Sequence, residues 1–458
     1  MEEIVERAIQ KGAEFFDIRM IEKESTTVEY KDGKLHNVLS GHDQGAGLRT
    51  IVKGAWGFAS TTEISMDSLR KALDKALETS TKIADKVLEK TSLAEVEPVK
   101  DSITWQPKKD PLSIPFETKL ELIRDMHDVA REPKGVHSVT TGCGDIRERM
   151  RVLNSEGTDL QGEIFRSFAR TQVIAREGGN VVSFYDAAGA TGGWEIFDKK
   201  DPIEFSRSAG ESAVRISHSK ASPSGRLPLI ADQDLAGVFA HEALGHASEA
   251  DTVVRGGSCL EGIMGEKIGN ELVTIIDDST FEGGFGSFPF DSEGVKSQEK
   301  VLVDRGVLND YILSRETAHV LGMKPNGGAR VENYNYLPLV RMSNTFVQQG
   351  ESSLEELLEG IKLGIYAKGS RGGQVSPAKG TFQFNASEAF LIEDGEITES
   401  LKDVSFGGYT LEVLKNIDAV GNDFQLGRPG NCGKEQWVPV NSGGPHVRVK
   451  EVTIGGGS

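Results

Sequence analysis

Residues 235–246 read Leu-Ala-Gly-Val-Phe-Ala-His-Glu-Ala-Leu-Gly-His. An apolar run leads into two imidazoles that flank a carboxylate. That grouping offers neutral nitrogen ligands for a metal and a nearby base for water, which is what a zinc hydrolase needs. Leu235, Val238, Phe239 and Glu242 follow an i, i+3, i+4, i+7 pattern, and His241 lies three residues beyond Val238. The pattern predicts a helix, N-capped by Asp232, whose core-facing stripe runs on into His241 and Glu242. A carboxylate on such a stripe is costly unless it is paired, hydrogen-bonded or close to a metal.

Three residues separate Glu242 from His246, one more than in the familiar metalloprotease pattern. In a regular helix, residues four apart sit about 40° apart around the axis, whereas residues five apart sit roughly 140° apart. For His241 and His246 to share an ion, the helix must end or distort between them. Gly245 is the expected place, because glycine tolerates the left-handed conformation that closes a helix. This puts His241 and Glu242 on the last regular turn and His246 just past its end. On these residues alone two readings stand: a metal site, or a helix C-terminus carrying two ordinary histidines.

The 458-residue chain is long enough for two or three domains. Its 37% hydrophobic and 27% charged content is that of a soluble globular protein. No run approaches the roughly 18 apolar residues of a membrane span, and the acidic, amphipathic N-terminus is unlike a secretory signal. A net charge of −18 argues against general nucleic-acid binding. Three cysteines give no disulfide framework, so a cytoplasmic setting is expected. Cys143 and Cys259 read as packed thiols. Cys432 lies in Gly-Arg-Pro-Gly-Asn-Cys-Gly-Lys (427–434). That tight loop can present a thiolate, favoured by Lys434 or by a metal, or simply hold a turn cysteine.

The N-terminal part reads as an α+β region, 1–222, in two blocks of about 1–95 and 96–222. Helices are expected at 2–12, 65–88, 116–131 and 202–217. Strands are expected at 15–21, 25–30, 35–39, 47–52, 136–141, 150–154, 162–175 and 180–185, with a hairpin turn at Lys31-Asp32-Gly33-Lys34. The proline-bearing stretch 95–115 reads as a linker, and the Ser-, Pro- and Gly-containing segment 219–226 as a domain boundary. Residues 223–458 read as a glycine-rich, strand-heavy catalytic domain built round a curved or barrel-like sheet.

Several stretches together resemble the TldD/PmbA family of metallopeptidases, over nearly the whole chain. They are Asp17-Ile18-Arg19, 45–49 and 54–59 near the N-terminus, the motif at 241–251, then 328–332, 338–345 and 372–375, and finally Cys432-Gly433-Lys434 with Val438-Pro439-Val440. PmbA-type members lack the histidine motif. This chain has it and so resembles the TldD-type, catalytic branch. The resemblance implies one metal, inferred to be zinc, held by His241, His246 and Cys432. It also implies a homodimer, or a heterodimer with a PmbA-type paralogue, and peptidase action on small or unfolded polypeptides.

In that reading three protein ligands leave a fourth position for water, and Glu242 is the general base. Glu249 and Asp251 either orient an imidazole or are exposed acids following a helix. Arg330 and Arg341 either anchor a peptide carboxylate or form structural ion pairs. His446 either stabilises an oxyanion or is a surface histidine. The alternative to a peptidase is a non-catalytic binding or regulatory assembly protein with a structural, four-ligand metal.

Overall fold

The turn at Asp32-Gly33 places two consecutive residues at positive φ, 47° and 83°. This is the turn that suits the twist of a tight hairpin. It joins β1 (Phe15–Lys31) to β2 (Lys34–Val52), preceded by helix α1 (Glu2–Gln10) and followed by β3 (Ala55–Thr61) and α2 (Met66–Ile83). The structure, a computed structural model, describes residues 1–455. Residues 456–458, in the Gly-Gly-Gly-Ser end that the sequence leaves as native or appended, lie outside the described residues.

Where the sequence pattern predicts pairs of short strands, β1 and β2 run unbroken for 17 and 19 residues. The polar stretch Glu22-Lys23-Glu24 was the apparent break. It stays in register because Arg149, Glu148 and Arg147 on the neighbouring strand lie 3.2, 3.4 and 3.6 Å from Glu22, Lys23 and Glu24. Opposite charges across a pair of strands support the sheet rather than interrupt it. Next come β4 (Lys100–Thr104), α3 (Phe116–Arg131), β5 (Val136–Asn154), β6 (Asp159–Glu177), β7 (Asn180–Thr191) and α4 (Pro202–Ser217). The predicted linker thus contains a strand, β4. The sheet order is β3-β2-β1-β5-β6, with β4 and β7 sharing the outer edge of β6. α2 ends at Ile83, short of the predicted 88, and buries Leu69, Ala72, Leu73, Ala76 and Leu77.

Beyond α4, the strands Leu363–Ser376, Gly225–Ala231, Val447–Gly455, Ser405–Tyr409 and Thr381–Glu393 pair in that order, and the last pairs back to the first. The expected barrel-like sheet is therefore a closed five-stranded barrel. Phe382, Phe384 and Phe406 meet in its core with edge and tilted contacts. A second sheet has the order Val307–Leu308, Glu299–Asp304, Ile275–Asp278, Asn344–Val347, Gln436–Gly444, Gln425–Lys434. With 45% strand and 23% helix the chain is α+β. Among the described residues no helix is long and apolar enough to cross a membrane.

Candidate metal centre

The helix leading into the motif, α5 (Gln233–Val238), starts where the sequence places it. Asp232 Oδ1 accepts from the Leu235 N–H at 2.9 Å and also from Gly369 N–H at 2.9 Å, tying the cap to the barrel. Phe239 packs against Phe382 of the barrel at 5.2 Å. On its other side the helix touches bare backbone: a Cβ on Gly237 would lie 2.1 Å from Gly443 N. Gly443 belongs to the strand paired with the Cys432 strand, so this glycine contact brings the motif against the hairpin that carries the thiol.

From Phe239 to Gly245 the winding opens into a π-helix, and His246–Ser248 tightens into a 3-10 turn. The His246 N–H donates to the His241 carbonyl, five residues back. An i→i+5 winding puts residues five apart on one face, which a regular helix cannot do. The predicted distortion is present but its kind differs. Gly245 is right-handed, with φ −54° and ψ −51°, and closes nothing. A Cβ there would meet Met342 Sδ at 2.1 Å, so any larger residue makes the Met342 side chain shift. Glu242 also departs from expectation. The π winding rotates it off the core stripe, and its side chain is 37% exposed.

The structure brings His241, His246 and Cys432 together, with one ligand-type atom from each within 4.8 Å of the others. Cys432 Sγ lies 3.4 Å from His246 Nε2, and the two imidazoles meet edge-on at 5.3 Å between centroids. Glu242 Oε2 lies 3.7 Å from His246 Nε2. Burial pushes the Cys432 thiol up, yet His241 and His246 bring it down to about 5. Burial works against a charged His246 ring, while Cys432 and Glu249 raise it well above the ordinary histidine value. His241 is raised in the same way, chiefly by Cys432. The cluster is thus a buried thiolate between two basic imidazoles, and a metal would take the place of their protons.

The donor set fits zinc. It is two nitrogens and one sulfur. The 3.4 Å S···N edge is close to the roughly 3.5 Å that bonds of about 2.3 and 2.0–2.1 Å subtend at a tetrahedral centre. His241 Nδ1 is buried and, among the described residues, has no hydrogen-bond partner; a metal bond at this nitrogen would satisfy it. A second grouping, Glu22, Glu24 and His42, is more open, and Arg149 and Arg147 already neutralise its carboxylates.

Of the other candidates, Glu249 is buried with Oε2 3.0 Å from His246 Nδ1, while Asp251 pairs with Lys434 at 2.7 Å. Neither Arg330 nor Arg341 is free for a substrate. Arg330 donates to the Met342 carbonyl at 2.6 Å and lies over Phe288, and Arg341 donates to the carbonyls of Cys432 and Gln436 at 2.6 and 2.8 Å. His446 is neither on the surface nor open: its nitrogens lie 2.6 Å from Asp423 and 2.9 Å from Tyr366. Gly237, Gly443 and Met342 were missed as contributors. A glycine inside an apolar helix was the available sign of close backbone approach.

Residues 16–80 match the PmbA/TldA metallopeptidase domain 1, residues 109–216 the PmbA/TldA metallopeptidase central domain, and residues 224–456 the PmbA/TldA metallopeptidase C-terminal domain. A metalloprotease of Methanothermobacter thermautotrophicus is 44% identical over 98% of this chain and 97% of its own length. A zinc metalloprotease TldD homologue of Saccharolobus solfataricus is 30% identical over 99% of each chain. Among solved structures, TldE from Thermococcus kodakarensis covers 100% of both chains with a TM-score of 0.81 at 20% identity, a likeness of fold alone.

Proposed function

The chain belongs to the PmbA/TldD metallopeptidase family, and from that premise we propose that it is a zinc-dependent peptidase of small or unfolded peptides. His241, His246 and Cys432 are its zinc ligands and Glu242 its general base. The observation that carries the reading is the convergence of these three donors, from positions up to 191 residues apart in the sequence (432 − 241), in one buried cluster. When bound there, zinc supplies Lewis acidity that brings the ionisation of water towards neutral pH.

The chain's own groups do the rest. Three protein ligands are the pattern of catalytic rather than structural zinc, so His241, His246 and Cys432 would hold the metal with a position left for water. Glu242 Oε2 lies 3.7 Å from His246 Nε2, and the exposure of its side chain lets it take a proton from water and pass one to the leaving amine. The reading divides the chain into a part at 1–222 that frames the site and a catalytic part at 223–458. It assigns a homodimer, or a heterodimer with a PmbA-type paralogue, and a reducing cytoplasmic setting that suits three free thiols. Zinc removal is the test. A chelator should abolish hydrolysis of an unfolded polypeptide, and about one equivalent of zinc per chain should restore it. Hydrolysis that persists in metal-free protein contradicts the proposal.

A further inference from the structure

Glu249 is 1% exposed, yet its carboxylate reaches three nitrogen-bearing side chains. Oε2 lies 3.0 Å from His246 Nδ1 and 3.1 Å from Lys434 Nζ, and Oε1 lies 3.7 Å from Arg341 Nε. These partners come from both halves of the centre. His246 belongs to the motif segment. Lys434 stands two residues from Cys432. Arg341 grips the carbonyls of Cys432 and Gln436, one on each arm of the hairpin.

The network is balanced in charge, with Glu249 and Asp251 against Lys434 and Arg341. Among the described residues two of its buried atoms, Glu249 Oε1 and Arg341 Nε, have no hydrogen-bond partner and lie 3.7 Å apart. A buried carboxylate with one unfilled oxygen is expensive to keep for packing alone. A role in orienting a ligand accounts for it.

We infer that Glu249 is a positioning residue for the proposed zinc centre: it holds His246 with Nδ1 as donor and Nε2 turned to the Cys432 sulfur, and through Lys434 and Arg341 it locks that imidazole to the strand bearing the sulfur. The inference rests on His241, His246 and Cys432 being the zinc ligands. A histidine that donates from Nδ1 keeps its lone pair on Nε2, which fixes both the tautomer and the plane of the ring. Asp251 Oδ1 accepts from Lys434 Nζ at 2.7 Å, whereas the contact with His246 Nδ1 is made by Glu249.

The test uses zinc as the probe. Metal-stripped wild type, Glu249→Ala and Glu249→Gln are titrated with zinc against a chromophoric chelator, and the melting of each metal-free protein is followed alongside. The expected result is zinc affinity weakened about 10–100-fold in Glu249→Ala, and by at least about threefold in Glu249→Gln, which keeps an acceptor for Nδ1–H but not the charge. A purely structural role would lower the melting temperature of the metal-free protein and leave zinc affinity where it was. Affinity within about twofold of wild type in Glu249→Ala, or in Glu249→Gln if the alanine variant does not fold, overturns the inference alone. A wild type that binds no zinc overturns the ligand assignment and this inference with it.

Discussion

His241 and Glu242 are adjacent in the chain and opposite in environment. The imidazole is 5% exposed and sits against the Cys432 side chain, whereas the carboxylate next to it is 37% exposed at its side chain and lies 3.7 Å from His246. Burial suits a ligand that must stay in place. Exposure suits a base that must reach a substrate and exchange protons with it. The division of labour gives a clean variant. Glu242→Gln is expected to bind zinc as the wild type does and to lose about 10²–10⁴ in kcat, the usual share of general acid–base catalysis. Zinc content and steady-state hydrolysis measured on one preparation check this, and a fully active variant removes Glu242 from the mechanism.

The motif element shows how much a sequence pattern can carry. The 3.6-residue periodicity located α5, Asp232 marked its start, and the five-residue spacing of the histidines required a distortion. The form of that distortion was not legible. A π winding is chosen by what surrounds it, here Met342 against Gly245 and the backbone of Gly443 against Gly237, and those neighbours lie about 100 and 200 residues further along the chain. The same limit explains the strands read as two when they are one. Glu22, Lys23 and Glu24 look like a break until their partners on β5 are known. The orientation of Glu242 also followed from the winding and so was missed. At this scale Gly237→Ala is the informative change. Its Cβ would be driven into backbone rather than into a pliable side chain, so overpacking is expected to cost about 1–3 kcal/mol. It should also push the motif off the Cys432 hairpin and weaken zinc binding. A thermal melt and a zinc titration check both effects, and a variant unchanged in each shows that the contact has slack.

Across the whole molecule, the N-terminal sheet is fastened to the C-terminal part by buried charge. Arg49 of β2 donates to Asp17 of β1 and, at 3.1 Å, to Glu293, whose other oxygen accepts the Arg315 backbone N–H at 2.7 Å. The guanidinium is 4% exposed and lies over Trp56 at 4.6 Å. Arg49→Met would take from Asp17 and Glu293 the cation that bonds to both and leave the more distant Arg19, 4.0 Å from Asp17, as their buried counter-charge. The expected cost is about 3–5 kcal/mol, read from denaturant unfolding; a loss below about 1 kcal/mol would mean that this charge cluster does not fasten the two parts. The proposed centre would draw on the full C-terminal part: the motif lies near its start, and the proposed sulfur ligand is 186 residues beyond His246, on an edge strand of the second sheet. The most direct test of that claim is anomalous diffraction at the zinc edge from crystals of the zinc-loaded protein. The account expects one strong peak about 2.0–2.3 Å from a nitrogen of His241, a nitrogen of His246 and the sulfur of Cys432. A peak bound without that sulfur, or placed elsewhere in the molecule, contradicts it.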